Sequence, residues 1–317
     1  MSLGGVLRPL RQRLRAGVRS AVHALSEAPY GTSLLNRGMQ AFGARFQEHV
    51  FLLSHAQPVP ARAASWQVRR EDFTIRVPIA DRWPLSWQVG LSAYVHERGI
   101  QRFCARFREL GDSSRVIIDV GANHGLFSFP FMVHGYRCAL FEPQRACLDY
   151  VAAAVALNPG ARAPELVCVV LAEEAGAMTF YTSASTFYSS LERSAVEQWE
   201  PAVAITVPTY RLDDYVVEHG LVPALIKIDV EGGELRVLDG ARELLARHRP
   251  SVVIELHANS GHRAQVHRML HALDYDVSAL PDDLRLAPLT YEQFLADESA
   301  NFAFVHERAQ KALLRAG

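Results

Sequence analysis

The stretch VIIDVGANHG at residues 116–125 decides the fold class of this 317-residue chain. Its first half is an apolar run interrupted only by Asp119, as expected for a strand buried on both faces. Gly121 permits a sharp turn out of the strand, and Gly125 permits close approach at the start of a helix, where free N–H groups favour a polar or anionic ligand. The pattern predicts a strand, a ligand-binding turn and a helix, with a tight turn that binds nothing as the alternative.

On both sides of this stretch, from Arg115 to His306, short apolar runs alternate with amphipathic stretches. This alternation is typical of βα units around a mainly parallel sheet. The predicted strands of that sheet are Val116–Val120, Cys138–Glu142, Leu166–Leu171, Leu225–Asp229 and Val252–His257. Further strands are predicted at Phe73–Ile79, Met178–Tyr181 and Ala202–Pro208, a helical run at Trp87–Leu110, and an antiparallel closing pair at Asp276–Leu280 and Asn301–His306. The predicted fold is therefore α/β and Rossmann-like.

Composition excludes several classes of protein. The hydrophobic fraction of 49% and charged fraction of 21% are those of a globular chain, and the net charge of −1 gives no reason to expect a nucleic-acid partner. No apolar stretch is long enough to span a membrane. The four cysteines contain no C-x-x-C pair, so neither a zinc site nor a disulfide framework is indicated, and a cytoplasmic location is expected.

The first part of the chain differs in charge from the rest. Residues 1–72 form an Arg-rich and, by prediction, helical extension, followed by a catalytic domain at 73–317. Within the extension, residues 6–25 have leucines and valines at helical spacing with arginines between them, which predicts a basic amphipathic helix. That helix either packs on its own domain or a second subunit, or adheres to an anionic membrane surface; an organellar presequence also fits.

The second predicted strand ends in FEP at 141–143, which places Glu142 23 residues after Asp119. An acidic residue about 20 positions beyond a glycine loop is placed to accept both hydroxyl hydrogens of a bound ribose. A simple helix cap is the alternative. Asn123 stands where a dinucleotide fingerprint has its second glycine, which favours S-adenosylmethionine over a nicotinamide dinucleotide.

The fourth predicted strand leads into KIDVEGGE at 227–234. Lys227 and Asp229 are two apart and project to the same face. A lysine in an apolar strand loses hydration energy unless it is paired or used, so these residues indicate either function or a tolerated ion pair with Asp229 or Glu231. The fifth strand ends in IELH at 254–257, which puts a further acid and an imidazole at the same edge.

Taken together, these residues resemble the FkbM-type methyltransferase family. The resemblance covers Phe73 to His306 and rests on the order and spacing of five motifs: DVGANHG at 119–125, FEP at 141–143, PTYRLDD at 208–214, KIDVEGGE at 227–234 and IELH at 254–257. It implies a class I methyltransferase fold and S-adenosylmethionine as cofactor. The extension at 1–72 lies outside the resemblance.

The resemblance also implies roles for individual residues. Those predicted to bind the cofactor are Asp119, Gly121, Asn123 and Gly125 at its amino-acid end, Glu142 at its ribose, and Ala172 and Glu173 beside its adenine. Asp229 is expected nearest the reactive methyl group, with Lys227, Glu231 and His257 around the acceptor.

Members of this family methylate hydroxyl groups, so the implied reaction is O-methylation of a sugar, polyketide, lipid or other small molecule. A hydroxyl is a poor nucleophile, and Asp229 and His257 are the candidate bases. No metal site is predicted, because Asp229 and Glu255 lack an evident third ligand. A nicotinamide-dependent oxidoreductase and a non-catalytic cofactor-binding or scaffold protein are the alternative functions.

Overall fold

The computed structural model describes residues 37, 65–70, 72–79, 89–90, 92–93, 97–111, 114–183, 189–258, 261–281 and 288–306. The predicted basic helix at 6–25 lies outside these residues. Within them, no helix is long and apolar enough to cross a membrane.

The strands and helices alternate along the chain as the sequence predicts. The strands are β1 Ser65–Arg69, β2 Thr74–Pro78, β3 Val116–Val120, β4 Arg137–Phe141, β5 Glu165–Val167, β6 Val170–Leu171, β7 Gly176–Thr182, β8 Ser189–Ser190, β9 Val203–Tyr210, β10 Leu225–Ile228, β11 Ser251–Glu255, β12 Tyr275–Ala279 and β13 Asn301–His306. The helices are α1 Arg98–Leu110, α2 Phe129–Val133, α3 Arg145–Ala156, α4 Arg193–Glu197, α5 Leu212–Glu218, α6 Glu234–Asp239, α7 Arg242–His248, α8 Arg263–His271 and α9 Tyr291–Ala296.

Seven strands form the central sheet in the order β12-β13-β11-β10-β3-β4-β5. β5, β4, β3, β10 and β11 are mutually parallel, whereas β13 runs antiparallel to both β11 and β12. The antiparallel pair occupies one edge of the sheet, with β13 on the inside. The predicted Rossmann-like class I methyltransferase fold, with its antiparallel closing strand, is confirmed.

The middle of the sheet is buried on both faces, which is why its strands read as nearly continuous apolar runs. Every residue of β10 is buried, as are all of β3 after Val116 and all of β11 before Glu255. In such surroundings Asp119 and Lys227 are the exceptions, at 0% and 5% exposure. A charge at the centre of a sheet needs a compensating partner, which directs attention to the strand ends beside these two residues.

Two predicted elements are interrupted. The run Leu166–Leu171 was predicted as one strand, but the N–H of Val169 bonds back to the carbonyl of Val167, so the chain turns and passes from one sheet to another. As a result β5 pairs with β4, whereas β6 pairs with β9. The helical run predicted at Trp87–Leu110 is broken at Glu97, whose φ of 46° is left-handed, and α1 begins after it.

A smaller sheet with the order β6-β9-β7-β8 is inserted between the third and fourth parallel strands. β7 and β9 pair antiparallel along seven residue pairs. They correspond to the two added strands predicted from the sequence. β8 follows and ends in Ser190, which is buried and contacts the turn after β10.

The chain divides into two compact units, which are considered separately. The first comprises the described residues up to His96 together with Tyr150–Pro159, and the second comprises Glu97–Asp149 and Gly160–Gly317. In the first, β1 and β2 form an antiparallel hairpin with buried Trp66 and Val68. The boundary predicted after residue 72 falls in the turn of this hairpin, and the division into an extension and a catalytic domain stays a prediction.

Candidate active site

The carboxyl ends of β3, β4, β10 and β11 meet at one edge of the central sheet, which is where open α/β sheets bind ligands. β3 and β10 are adjacent and in register, so that Lys227 is the direct partner of Asp119. Hydrogen bonds and ion pairs then connect these two residues to Asp229. The predicted residues at these strand ends are therefore neighbours in space.

The Lys227 ammonium group lies between two carboxylates. Its Nζ donates to Asp229 Oδ2 at 2.8 Å and to the carbonyl of Gly121 at 3.2 Å, and it lies 3.8 Å from Asp119 Oδ1. Asp119 Oδ2 accepts a hydrogen bond of 2.6 Å from the Ser128 hydroxyl. The lysine is thus paired with carboxylates and also holds the turn after β3. Of the two interpretations that the sequence allowed for Lys227, a single tolerated ion pair is replaced by a network of contacts.

Burial and charge oppose each other in this network. Burial alone would lower the pKa of Lys227, but the carboxylates of Asp229, Asp119 and Glu97 raise it well above its usual range. Burial raises the pKa of Asp119, and Lys227 and the Ser128 hydroxyl only partly offset that effect. Lys227 is therefore a permanent cation at the centre of the site.

The turn after β3 requires glycine at Gly121. Its φ is 73°, and a Cβ atom there would lie 1.8 Å from the carbonyl oxygen of Asp229. The backbone after β3 therefore touches the backbone after β10. Asn123 is also left-handed, with φ of 46°, a conformation that asparagine adopts more readily than most residues.

Four N–H groups of this turn bond within the protein, contrary to the prediction that they are free for a ligand. Those of Gly121 and Ala122 donate to the carbonyl of Phe141, that of Asn123 to Glu142 Oε2, and that of Gly125 to the carbonyl of Ala122. A pyrophosphate-binding loop needs such groups unpaired. The arrangement therefore argues against a nicotinamide dinucleotide.

Glu142 links the turn to the next helix. It is 3% exposed, and its Oε2 and Oε1 accept the N–H groups of Asn123 and Gln144, both at 2.9 Å. Burial raises the pKa of Glu142 to about 7, against the lowering effect of these two hydrogen bonds. A third hydrogen bond, from the Gln144 side chain, also lowers it. Since a carboxylate has about four acceptor positions, about one remains for a further donor.

These features fit S-adenosylmethionine. Glu142 has acceptor capacity left for a ribose hydroxyl group, and Asp119 Oδ1 is buried with no hydrogen-bond donor among the described residues. The strand ends carry an excess of carboxylates over cations, which suits a cofactor with a positively charged sulfur. Asp119 and Glu142 are the residues that would hold it.

Ala172 and Glu173, predicted beside the adenine, follow β6. Ala172 is buried, and its carbonyl oxygen would be 2.2 Å from a Cβ atom added at Gly240. Glu173 forms a surface ion pair with Arg236. The contact of these two residues with adenine stays a prediction.

Beside Asp229, the strand ends carry an imidazole and two further carboxylates, those of Glu231 and Glu255. His257 Nε2 lies 3.6 Å from Glu231 Oε2 and 3.9 Å from Glu255 Oε1, and both the imidazole and the Glu231 side chain are half-exposed. Burial raises the pKa of Glu255 to about 10, assisted by the charge of Asp229 and by a hydrogen bond with it. Burial and the neighbouring charge of Asp229 thus favour the protonated form of Glu255.

Glu231 lies on a strained turn. Its φ is 52° and that of Gly232 is 104°. The turn is held from two sides, because the Ser190 hydroxyl donates to the carbonyl of Glu231 and the N–H of Gly232 donates to Glu234 Oε1, both at 2.8 Å. A left-handed glutamate persists only where its surroundings over-determine it, so the position of this carboxylate is specified.

Glu97 and Glu255 lie in one group of donor residues with Asp229, Glu231 and His257, and neither was among the predicted site residues. The carboxylate oxygens of Glu97, Asp229 and Glu255 lie within 4.8 Å of one another, as do the donor atoms of Glu231, Glu255 and His257. Glu97 supplies the third ligand that Asp229 and Glu255 lacked in the sequence, and the second set is a further group of three donors. Glu255 was signalled by its place in IELH, whereas Glu97 has no sequence signal, because its position depends on where α1 begins.

The known proteins that this chain resembles are methyltransferases. The family model for the methyltransferase FkbM domain matches residues 119–277. The chain is 30% identical over 196 residues to the methyltransferase sdnD of Sordaria araneosa, an alignment that covers 52% of this chain and 75% of that protein.

Two solved structures are similar in fold. A methyltransferase FkbM from Methylobacillus flagellatus has 16% identity and a TM-score of 0.41, over 68% of this chain and 54% of that one. A SAM-dependent methyltransferase from Agrobacterium tumefaciens has 9% identity and a TM-score of 0.42, over 78% of this chain and 72% of that one. The match thus spans about half the length of the Methylobacillus protein.

Proposed function

The chain belongs to the FkbM family of S-adenosylmethionine-dependent methyltransferases, and we propose that it methylates a hydroxyl group of a small molecule, with His257 accepting the hydroxyl proton. The acceptor classes that suit this proposal are a sugar, a polyketide and a lipid headgroup. When bound, S-adenosylmethionine supplies a methyl group on a positively charged sulfur. The residues of the chain then have to orient the acceptor and remove one proton.

Asp229 is poorly suited to remove that proton. It accepts a hydrogen bond of 2.8 Å from the buried Lys227 ammonium group, and a second hydrogen bond joins it to Glu255, whose protonated form is favoured. Both interactions stabilise the anion of Asp229 and so weaken it as a base. Its proposed task is electrostatic: a carboxylate fixed beside the reacting centre by two hydrogen bonds.

His257 is better suited. An imidazole is a base that works near neutral pH, and its half-exposed ring can reach an acceptor molecule. The carboxylate of Glu231, 3.6 Å from Nε2, stabilises the protonated imidazole that proton transfer produces. This contact, at the edge of the sheet beside Lys227 and Asp229, is the observation that carries the proposal.

The test uses S-adenosylmethionine with an isotope-labelled methyl group, incubated with the full chain and a metabolite extract, followed by mass spectrometry of the labelled product. We expect the label on an oxygen atom. We expect His257→Asn to slow labelling by about 10²- to 10⁴-fold, the usual contribution of a general base, with little change in cofactor affinity measured by calorimetry. A label on nitrogen or carbon, or unchanged turnover in His257→Asn, contradicts the proposal.

A chelator distinguishes the imidazole from a metal ion. Because the cluster also has the donor atoms for a divalent cation, the labelling assay is repeated with EDTA and then with added Mg²⁺. An imidazole base predicts the same rate in all three conditions. Loss in EDTA with recovery in Mg²⁺ would assign proton removal to a metal-bound acceptor instead.

A further inference from the structure

Arg263 is a buried cation without a function in the reaction described above. It is the first residue of α8 and is 3% exposed. All five of its N–H groups donate to backbone carbonyls: Nε and one Nη2 hydrogen to Leu256, the second Nη2 hydrogen to Ser299, and the two Nη1 hydrogens to Phe294 and Asp297.

Apart from these carbonyls, the guanidinium group has two aromatic rings and the charge of the Asp297 carboxylate around it. Its central carbon lies 4.9 Å from the ring centre of Phe302 and 5.7 Å from that of Phe294. Burying a charge among aromatic rings carries a desolvation penalty, which the carbonyl hydrogen bonds and the ring faces offset. Because an apolar residue would fill the same space without that penalty, the retained charge indicates a requirement for these particular hydrogen bonds.

The carbonyl of Leu256 accepts two of the five hydrogen bonds that Arg263 donates, at 3.1 and 2.6 Å. The N–H of the same residue donates to the carbonyl of Ala300 at 2.6 Å. Leu256 is therefore held on both sides of its backbone, immediately after β11 ends. Its neighbours in the chain are Glu255 and His257, and fixing the peptide planes between them fixes the directions of both side chains.

The hydrogen bonds also connect two segments that the sequence separates. Phe294, Asp297 and Ser299 belong to the end of α9 and the connection to β13, beyond the part of the chain that matches the family model. Arg263 holds this connection against the exit of β11. The position of the acceptor-side groups thus depends on residues that no site motif contains.

We infer that Arg263 is a positioning residue for methyl transfer: through the Leu256 carbonyl it holds His257 and Glu255 at the acceptor side of the sheet edge. The inference rests on the proposed function of His257. A lysine cannot replace it, because an ammonium group has three donors around one point, whereas the guanidinium group directs five donors in one plane to four carbonyls.

The test compares Arg263→Lys with Tyr275→Phe in the full chain. The Tyr275 hydroxyl is a matched control, since it is buried and donates to the carbonyl of Pro250 at 2.8 Å, at the opposite end of β11. Both variants lose a buried side-chain-to-carbonyl contact beside the same strand. Only Arg263→Lys disturbs the end that carries His257.

In Arg263→Lys we expect kcat for labelling of the extract to fall about 10²-fold, the scale of a misplaced catalytic group, with KM for S-adenosylmethionine unchanged. We also expect the imidazole NMR resonances of His257 to shift. Tyr275→Phe should show neither change, even if its melting temperature falls as far. Wild-type kcat and resonances in a folded Arg263→Lys, or equal losses in the two variants, would overturn the inference.

Arg263→Gln covers the case in which the lysine variant does not fold. It is neutral, so it avoids burying an undercompensated charge, while it still lacks most of the donors. The same two changes are expected. A double variant separates this inference from the proposed function: if Arg263 acts through His257, then Arg263→Lys has little further effect in a His257→Asn background. Unchanged turnover in His257→Asn alone would show that His257 is not the proton acceptor. If Arg263→Lys lowers kcat in the His257→Asn background as much as it does in the wild type, Arg263 does not act through His257.

Discussion

At the scale of single residues, the site depends on one buried ammonium group shared by two acids. Lys227 faces Asp119 across adjacent strands and donates to Asp229, the first residue after its own strand. The two carboxylates are not equivalent, because Asp119 is fully buried and the Asp229 side chain is 23% exposed. Asp119 therefore depends on the lysine for its charge, whereas Asp229 also reaches solvent.

Lys227→Met is expected to reduce the free energy of unfolding by about 3–5 kcal/mol, the usual effect of removing one partner from a buried ion pair. Urea denaturation measures it. Asp229→Asn is the comparison, and it should cost less because Lys227 keeps Asp119 and the Gly121 carbonyl. Equal losses in the two variants would show that Asp119 does not depend on the lysine.

Glu142→Gln is expected to weaken S-adenosylmethionine binding by about 1.5–3 kcal/mol, since it replaces a carboxylate that accepts a hydrogen bond from the ribose. Calorimetry measures the loss. Glu165→Gln serves as the control, because Glu165 also carries charge-assisted contacts, to Arg137 and Tyr215, but is not a predicted site residue. If a folded Glu142→Gln binds the cofactor as tightly as Glu165→Gln does, the ribose assignment is wrong.

The same variant should flatten the dependence of stability on pH. Burial raises the pKa of Glu142 from 4.5 to about 7, so the folded protein binds this proton more tightly than the unfolded chain does. Its contribution to stability is fully present below pH 4.5 and is lost as pH rises through 7, a change on the order of 3 kcal/mol. Urea denaturation at pH 5 and pH 8 tests it. Parallel losses in the wild type and Glu142→Gln would contradict the raised pKa.

At the scale of elements, the strand ends are held together by direct backbone contact. The turn after β3 and the residue after β10 touch at Gly121 and the Asp229 carbonyl. Since Asp229 also donates its N–H to the carbonyl of Val120, at 3.0 Å, the two strand exits form one rigid unit. The relative position of Asp119 and Asp229 is consequently set by the backbone before any side chain interacts.

Gly121→Ala and Gly135→Ala separate this contact from conformational strain. Both glycines have positive φ, 73° and 79°, but a Cβ atom at Gly135 would meet nothing within 4 Å. Each substitution pays the left-handed penalty, on the order of 1 kcal/mol. Gly121→Ala should cost a further 1–3 kcal/mol or so from overpacking, and should weaken cofactor binding. Equal unfolding free energies in the two variants would show that the contact is not tight.

At the scale of the whole molecule, the described residues before Glu97 belong, with Tyr150–Pro159, to a unit that carries none of the predicted site residues. Its hairpin contains buried Trp66 and Val68, so a truncation at residue 70 would remove a strand, whereas one at residue 64 spares it. Removing residues 1–64 is expected to leave S-adenosylmethionine binding within about twofold, because the motifs begin at Asp119. Calorimetry on the folded truncation tests this, and lost binding would place the extension in the site.

The central sheet, and the polar residues at the ends of β3, β4 and β10, could be predicted from the amino-acid sequence alone. Apolar runs such as Val116–Val120 are strands because only double-sided burial suits them, and a polar residue at the end of each run must then lie at the shared edge. Asp119, Glu142, Lys227 and Asp229 were predictable for this reason. The antiparallel closing pair followed from the same periodicity.

Tertiary structure alone decided the remainder. Glu97 lies in the group of carboxylates because it is a left-handed residue just before α1. The Leu256 carbonyl is fixed by Arg263, which also bonds to the segment before β13. The N–H groups of the glycine turn bond to Phe141 and Glu142 rather than to a ligand. Each is a contact between segments distant in the chain. Local periodicity specifies which face of an element is apolar, but the partner of a polar group is chosen by packing, and that choice has no signature in the neighbouring residues.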